Sequence, residues 1–306
     1  MNIVDQIKKL KKLKKEKNAV ILAHNYQLPE IQDIADFVGD SLGLSIEAAR
    51  TNAAIIVFCG VHFMAETAKI LSPQKIVLLP DKNAGCPMAD MIDAERLKPL
   101  QAKHPDAVTV CYVNTTAAVK AECDYCCTSA NALKIVQNIM LNHKDKGIIF
   151  VPDQYLAQYV SAQVKHDFII WEGYCPTHAK ILPENILEAK KLHPNAKVIV
   201  HPECRPTVTS LADVVASTEG MSKYAKKSPD MEFIIGTEIG IIHRMKKENP
   251  DKIFYPVTEK AVCPNMKKIT LEKVLWSLED LSFEITVEPD IMEKARLSIE
   301  RMLKIV

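Results

Sequence analysis

The chain has 306 residues, a formal net charge of +1 and 48% hydrophobic residues, enough to bury a sizeable core in one large domain or a few small ones. A charge so close to zero argues against nucleic acid or an anionic membrane as the main partner. Nine cysteines cannot all pair, and in a chain of this length they point to metal or redox chemistry rather than to a disulfide framework.

The first seventeen residues, MNIVDQIKKLKKLKKEK, predict an amphipathic helix with Ile3, Ile7, Leu10 and Leu13 on one face. They lack the apolar core and small-residue cleavage site of a signal peptide. The longest apolar stretch, AAIIVFCGVHFMA, carries His62 and falls short of the ~18 residues that a membrane span needs. A soluble, cytoplasmic protein is expected.

From residue 18 onward the chain repeats itself. NAVILAHNY predicts a strand ending at His24 and Tyr26, and ADFVGDSLGLSIEAAR is a helical pattern carrying Ser41. The strands AAIIVFCG and KIVLLPD then lead into Cys86-Pro87. The same succession returns as DAVTVCYVN with Tyr112 and Asn114, CTSAN with Ser129, then GIIFVPD and DFIIWEG before Cys175-Pro176. It returns again as NAKVIVHPE with His201 and Glu203, ASTEG with Ser217 and Thr218, then EFIIGTE and KIFYPVT before Cys263-Pro264. Strand ends step by 88 and 89 residues, and the Cys-Pro pairs by 89 and 88. The chain therefore reads as a triplicated unit of about 88 residues, with units at 1–92, 93–181 and 182–306. The third is extended by a predicted strand, SFEITV, and a helix, PDIMEKARLSIERMLKIV, expected to pack beside it. Continuous β-branched strands separated by helical patterns predict an α/β fold: three αβα, parallel-sheet units around a pseudo-threefold axis. Each Cys-Pro pair reads as a strand-end cysteine followed by proline in the first turn of a helix.

Ligands of open parallel sheets bind beyond the carboxyl ends of the strands, so three such units would aim their strand ends at one site. Three thiolates arriving from three directions suit a [4Fe-4S] cluster whose fourth iron stays open as a Lewis acid. A three-cysteine zinc site and unrelated buried cysteines are the alternatives. Cys59 and Cys111 read as core residues. Cys123, Cys126 and Cys127 form a CDYCC run without counterpart in the other units, read as buried or solvent thiols or else a redox pair. Cys204, beside Glu203, is the spare cysteine nearest the expected site. Paired strand-end histidines beside a carboxylate point to proton transfer by Tyr26, His201 and Glu203. Ser41, Ser129, Ser217 and Thr218 read singly as helix caps and jointly as an anion site. His178 is either a pocket residue or a first-turn helix residue. No G-x-G-x-x-G or Walker loop is present, which argues against a dinucleotide or nucleoside triphosphate.

The motifs ILAHNYQ, DFVGDSL, FCGVHFMAE, GCPMAD, YVNTTA, CTSAN, HPEC, GTEIGIIHRM and AVCPNMKK resemble the quinolinate synthase (NadA) family, from about residue 18 to past residue 270. The resemblance implies three αβα domains around a pseudo-threefold axis and one [4Fe-4S] cluster per chain on Cys86, Cys175 and Cys263. It implies condensation of iminoaspartate with dihydroxyacetone phosphate to quinolinate, with loss of phosphate and two waters, in NAD biosynthesis. It also suggests coupling to an aspartate-oxidising enzyme. Carried over by motif, His24, Ser41, Tyr112, Asn114, Ser129, His201, Glu203 and Thr218 bind the substrates, and Tyr26 and Glu203 move protons. The chain has no cysteine after Cys263, so the C-terminal C-x-x-C of some members is missing. Diphthamide-synthesis enzymes and a reductive dehydroxylase of isoprenoid synthesis share a three-cysteine, pseudo-threefold plan. They are the rival enzyme readings, and a cluster carrier is the non-enzymatic one.

Overall fold

β-branched and aliphatic runs that are apolar on both faces can bury only between covering layers, and that is how the strands are used. The computed structural model describes residues 2–144 and 146–305. Its strands form three sheets of four, every pairing within them parallel. The first sheet holds β1 (Ala19–His24), β2 (Phe37–Gly39), β3 (Ile55–Cys59) and β4 (Ile76–Leu78). The second holds β5 (Val108–Tyr112), β6 (Tyr125–Cys127), β7 (Ile148–Val151) and β8 (Ile169–Ile170). The third holds β9 (Lys197–Val200), β10 (Val214–Val215), β11 (Glu232–Gly236) and β12 (Ile253–Pro256). All three have one order: β2-β1-β3-β4, β6-β5-β7-β8 and β10-β9-β11-β12. The direction of winding reverses between the two central strands, which places the ligand crevice at their carboxyl ends. Every residue of β3, β5 and β7 is buried. The expected α/β class and its three similar units are thus present.

A repeated backbone clasp underlies the likeness. The carboxylates of Asp36, Asp124 and Asp213 accept the N–H of Ile21, Thr109 and Val198, each at 2.8 Å. Each aspartate's own N–H returns to the carbonyl of the same strand residue at 2.9–3.0 Å. One side chain therefore fixes the approach of the short second strand in all three units, where only two or three residues pair.

The structure corrects four expectations. DFVGDSLG is not wholly helical: Phe37–Gly39 is β2, and the helix begins at Ser41, capped by Asp40, whose side chain accepts the Gly43 N–H. The Cys-Pro pairs do not close strands or open α-helices. Each lies in a loop and enters a turn followed by a 3-10 helix: Ala89–Met91, His178–Lys180 and Met266–Lys268. SFEITV forms no strand, only an isolated bridge from Glu284 to Leu78. The final helix, Pro289–Leu303, leaves the third unit and packs on Ala117–Ala121 and β6. Ser298 Oγ donates to the Lys120 carbonyl at 2.9 Å, and Arg296 reaches the Ile70 carbonyl at 2.8 Å, so this helix ties the second unit to the first. The N-terminal helix, Ile3–Glu16, forms as expected and packs on Leu271–Asp280, with Leu10 2% exposed and Ile3 63% exposed. No helix among the described residues is long and apolar enough to cross a membrane.

Replacing Asp124 or Asp213 with alanine is expected to cost about 1–3 kcal/mol, the penalty for a strand N–H left unpaired. Urea denaturation checks this, and an unchanged midpoint would show that the clasp does not contribute to stability.

Candidate active site

The first central strand of each unit ends in a pair of polar residues two apart: His24 and Tyr26, Tyr112 and Asn114, His201 and Glu203. They meet in one deep cavity, together with Cys86, Cys175, Cys263, Ser41, Ser129, His178 and Thr218. Its free volume of about 140 Å³ admits a small molecule, not a polymer. Ser217 stays outside. It occupies the cap position and accepts the Gly220 N–H at 3.2 Å, leaving Thr218, at the first turn of Thr218–Lys227, as the equivalent of Ser41. The sheets step by 88 and then 89 residues, so the expected match of Ser217 to Ser129 is one residue out of register.

A chain of hydrogen bonds crosses the cavity floor. The Tyr26 hydroxyl lies 2.6 Å from Thr237 Oγ1, which lies 2.7 Å from His178 Nε2. His178 Nδ1 lies 2.8 Å from Glu203 Oε2, and the Tyr112 hydroxyl donates to Glu203 Oε1. The five side chains come from all three units, and every link is within proton-transfer reach. Burial opposes ionisation of Glu203, yet His178 and His201 beside it hold its carboxyl well below the ordinary carboxylate range. Burial, reinforced by the Glu203 charge, pushes the Tyr26 and Tyr112 phenols well up, so both are protonated at neutral pH.

The two strand-end histidines are fixed as donors. Tyr26 N–H donates to His24 Nδ1 at 3.2 Å, and Glu203 N–H to His201 Nδ1 at 3.3 Å. An accepting Nδ1 carries no proton, so each neutral ring bears its hydrogen on Nε2. His201 Nε2 lies 3.1 Å from Ser129 Oγ. Burial lowers both imidazoles to about 3, against the opposing pull of the Glu203 charge. Asn114 Oδ1 is buried without a hydrogen-bond partner among the described residues, an acceptor open to a ligand donor. Asn25 Nδ2 donates to Thr218 Oγ1 at 2.9 Å and is held in turn by Arg244 at 2.9 Å, which orients that hydroxyl.

The three cysteines are equivalent in their surroundings as well as in their spacing. Backbone N–H groups of Ala89, His178 and Met266, each three residues on, point at the sulfurs of Cys86, Cys175 and Cys263. Burial nonetheless pushes the Cys86 thiol up to about 12 and raises the other two. Buried thiols ringed by amide donors lack only a cation to become thiolates, which is the chemistry of a metal or cluster site. Cys175, His178 and Glu203 also present ligand atoms within 4.8 Å of one another and could hold a metal ion. His178 and Glu203 are already engaged by Thr237 and Tyr112, so the hydrogen-bonded chain accounts for that grouping without a metal.

The remaining cysteines lie apart from the cavity. Cys204 is 1% exposed and packs in the separate core of the third unit. Cys59 and Cys127 are buried in their strands, and Cys111 Sγ lies 3.4 Å from Cys126 Sγ across β5 and β6. Cys123 is buried too, so the solvent-thiol reading of the CDYCC run is set aside. Sequence reasoning missed Thr237, the central link of the chain. Its signal was its place just beyond β11, the second central strand of its sheet, in GTEIG.

Because His24 and His201 titrate near 3 when folded and near 6.5 when unfolded, the unfolded chain takes up protons first as pH falls. Their contribution to stability is complete above about pH 6.5 and is lost progressively towards about pH 3. Thermal denaturation at fixed ionic strength is expected to show the melting temperature falling through that window, with a shallower fall in the His24→Gln/His201→Gln protein. Equal slopes would assign the acid lability to other groups.

The chain matches the family described as Quinolinate synthetase A protein over residues 8–304. Quinolinate synthase of Dehalococcoides mccartyi strain CBDB1 is 57% identical over 298 residues, covering 97% of each chain. Quinolinate synthase of Methanosarcina barkeri strain Fusaro is 54% identical over 305 residues, covering 100% of this chain and 99% of the relative. That of Alkaliphilus metalliredigens strain QYMF is 53% identical over 306 residues, the whole of both chains. With that similarity running the length of all three units and their shared cavity, the chain belongs to the quinolinate synthase family of enzymes.

Proposed function

We propose that the chain is a quinolinate synthase, condensing iminoaspartate with dihydroxyacetone phosphate to quinolinate, with loss of phosphate and two waters, in NAD biosynthesis. The observation that carries this reading is the convergence of three equivalent cysteines and three strand-end polar pairs on one cavity. Cys86, Cys175 and Cys263 would hold one [4Fe-4S] cluster per chain, and three half-buried cysteines whose thiols are turned inward beside amide donors fit that group. Bound there, a three-cysteine cluster supplies an open iron as Lewis acid for a substrate oxygen.

The side chains account for the rest of the chemistry. Two carboxylates and a phosphate need donors, and the cavity offers His24 and His201 through Nε2–H, with the hydroxyls of Ser41, Ser129 and Thr218. Ser41 and Thr218 stand at the first turns of ten-residue helices, whose free N–H groups favour anions. Condensation and dehydration need protons delivered and removed. Ionised Glu203 is the base best placed to accept one through His178, while Tyr112 stays protonated and holds its other oxygen. Tyr26 is the acid, its phenol resupplied through Thr237 and His178. Iminoaspartate hydrolyses in water, so an aspartate-oxidising reaction must supply it close by.

Anaerobic turnover by iron-reconstituted protein tests the reading, with iminoaspartate generated in place from oxaloacetate and ammonia. Quinolinate is expected from the native protein and none from Cys175→Ser. Tyr26→Phe is expected to lower kcat by about 10²–10⁴-fold, the usual share of a general acid. No quinolinate from protein with a full complement of iron and sulfide would overturn the assignment.

A further inference from the structure

Beyond the second central strand of each sheet stands a side chain whose identity differs sharply between the units. Register fixes the equivalence: Cys59, Val151 and Gly236 pair with Ala23, Cys111 and Val200 in their sheets. Two residues further on are Val61, Asp153 and Glu238, at most 3% exposed and Glu238 not at all. Val61 shows that the repeat folds with an aliphatic side chain at this place. A buried carboxylate costs free energy to desolvate, so its presence in the third unit calls for another reason.

Its contacts supply one. Glu238 Oε1 accepts the Cys263 N–H at 3.2 Å and lies 2.9 Å from Lys267 Nζ, while Oε2 accepts the Gly240 N–H at 2.7 Å. Lys267 Nζ also donates to the main-chain carbonyl of Tyr26, in the first unit. The neighbouring Thr237 holds the phenol end of the same tyrosine at 2.6 Å. Two adjacent residues of the third unit thus fix Tyr26 at its backbone and at its hydroxyl. The assembly has no slack. A Cβ at position 240 would lie 2.8 Å from both Glu238 Oε2 and Lys267 Nζ, and 3.0 Å from the Tyr26 carbonyl carbon. Gly240 has an ordinary φ of −59°, so a side chain there would act through space, by displacing the ends of Glu238 and Lys267, and not through the backbone.

The other two units lack this link. Asp153 caps the helix Gln154–Val164 instead, its Oδ1 accepting the Leu156 N–H at 2.7 Å, while its Oδ2 is buried without a hydrogen-bond partner among the described residues. In the first unit the aliphatic Val61 side chain accepts nothing; the bond made by the next residue, His62 N–H to the Ala84 carbonyl at 2.8 Å, is common to all three units, since Gln154 and Ile239 donate likewise to Gly173 and Ala261.

We infer that Glu238 is a positioning residue that couples the Cys263 turn to Tyr26. One carboxylate fixes the cysteine's backbone and, through Lys267, sets where the tyrosine stands across the unit boundary. The inference rests on the three-cysteine reading of the cavity given above.

The test uses the full-length, iron-reconstituted protein. It reads iron and sulfide content, the rate of iron loss to excess chelator, kcat and KM. Glu238→Gln is expected to lose iron about 10-fold faster and to lose about 10–100-fold in kcat, the usual cost of removing a group that orients a metal ligand. KM should stay within about threefold, because no substrate contact is removed. Lys267→Met, at a side chain 20% exposed, removes only the tyrosine side of the link. It is expected to lower kcat while iron loss stays at the native rate. If Glu238→Gln does not fold, Lys267→Met decides: a fall in kcat at unchanged melting temperature supports the coupling, and an unchanged kcat overturns it. Faster iron loss in Lys267→Met, matching Glu238→Gln, would also overturn it, because the pair would then be a general brace. Native protein that takes up no iron and sulfide overturns the cavity reading and this inference with it. Loaded native protein whose variants behave alike overturns the inference alone.

Discussion

Parallel strands deliver all their outgoing loops to one edge of a sheet, and the whole molecule follows from that constraint. Three copies of one four-stranded parallel sheet, turned towards a common centre, have to send the loops that leave their strand ends into the same space. The aspartate clasp on each first strand keeps the copies alike in backbone, since the same N–H is satisfied in the same way three times. A cavity lined by nine strand-end and cysteine positions is therefore a consequence of topology before any side chain is chosen.

The side chains then break the symmetry where chemistry needs it. The strand-end positions carry His, Tyr and His, then Tyr, Asn and Glu. Three identical residues would give three equal charges or none, whereas one ionised glutamate among neutral imidazoles and protonated phenols gives a directed path for a proton. The glutamate can stay charged out of water because Tyr112 and His178 each satisfy one of its oxygens. Burial that would otherwise neutralise it also keeps the donors around it in a fixed protonation state. The cysteines go the other way and stay equivalent, as a metal centre approached from three sides requires.

The last forty residues close the assembly. After the Cys263 turn the chain passes through Leu271–Asp280, against the first helix, and ends with Pro289–Leu303 against the second unit. Ser298, Arg296 and Arg301 spend their polar atoms on backbone carbonyls of the first two units, so the terminus works as a strap across the repeat.

By itself the sequence determined the repeat, the fold class and most of the cavity. Spacing is a one-dimensional property, and Cys86, Cys175 and Cys263 or His24, Tyr112 and His201 keep theirs whatever the chain does in space. Long apolar runs such as Ile55–Cys59 likewise state their burial directly. Other features were decided only by the tertiary structure. The second strands are two or three residues long, too short for a pattern, and exist because a neighbour and an aspartate clasp hold them. Whether Ser217 or Thr218 faces the cavity turns on a single-residue shift between sheets, which spacing alone does not settle. Thr237 and Lys267 gain their roles from Tyr26, more than two hundred residues away, and Glu238 gains its own through Lys267; contact across that separation is a fact of packing. The final helix could cover any apolar face by its pattern, and the carbonyls within reach of Ser298 and Arg301 chose the second unit.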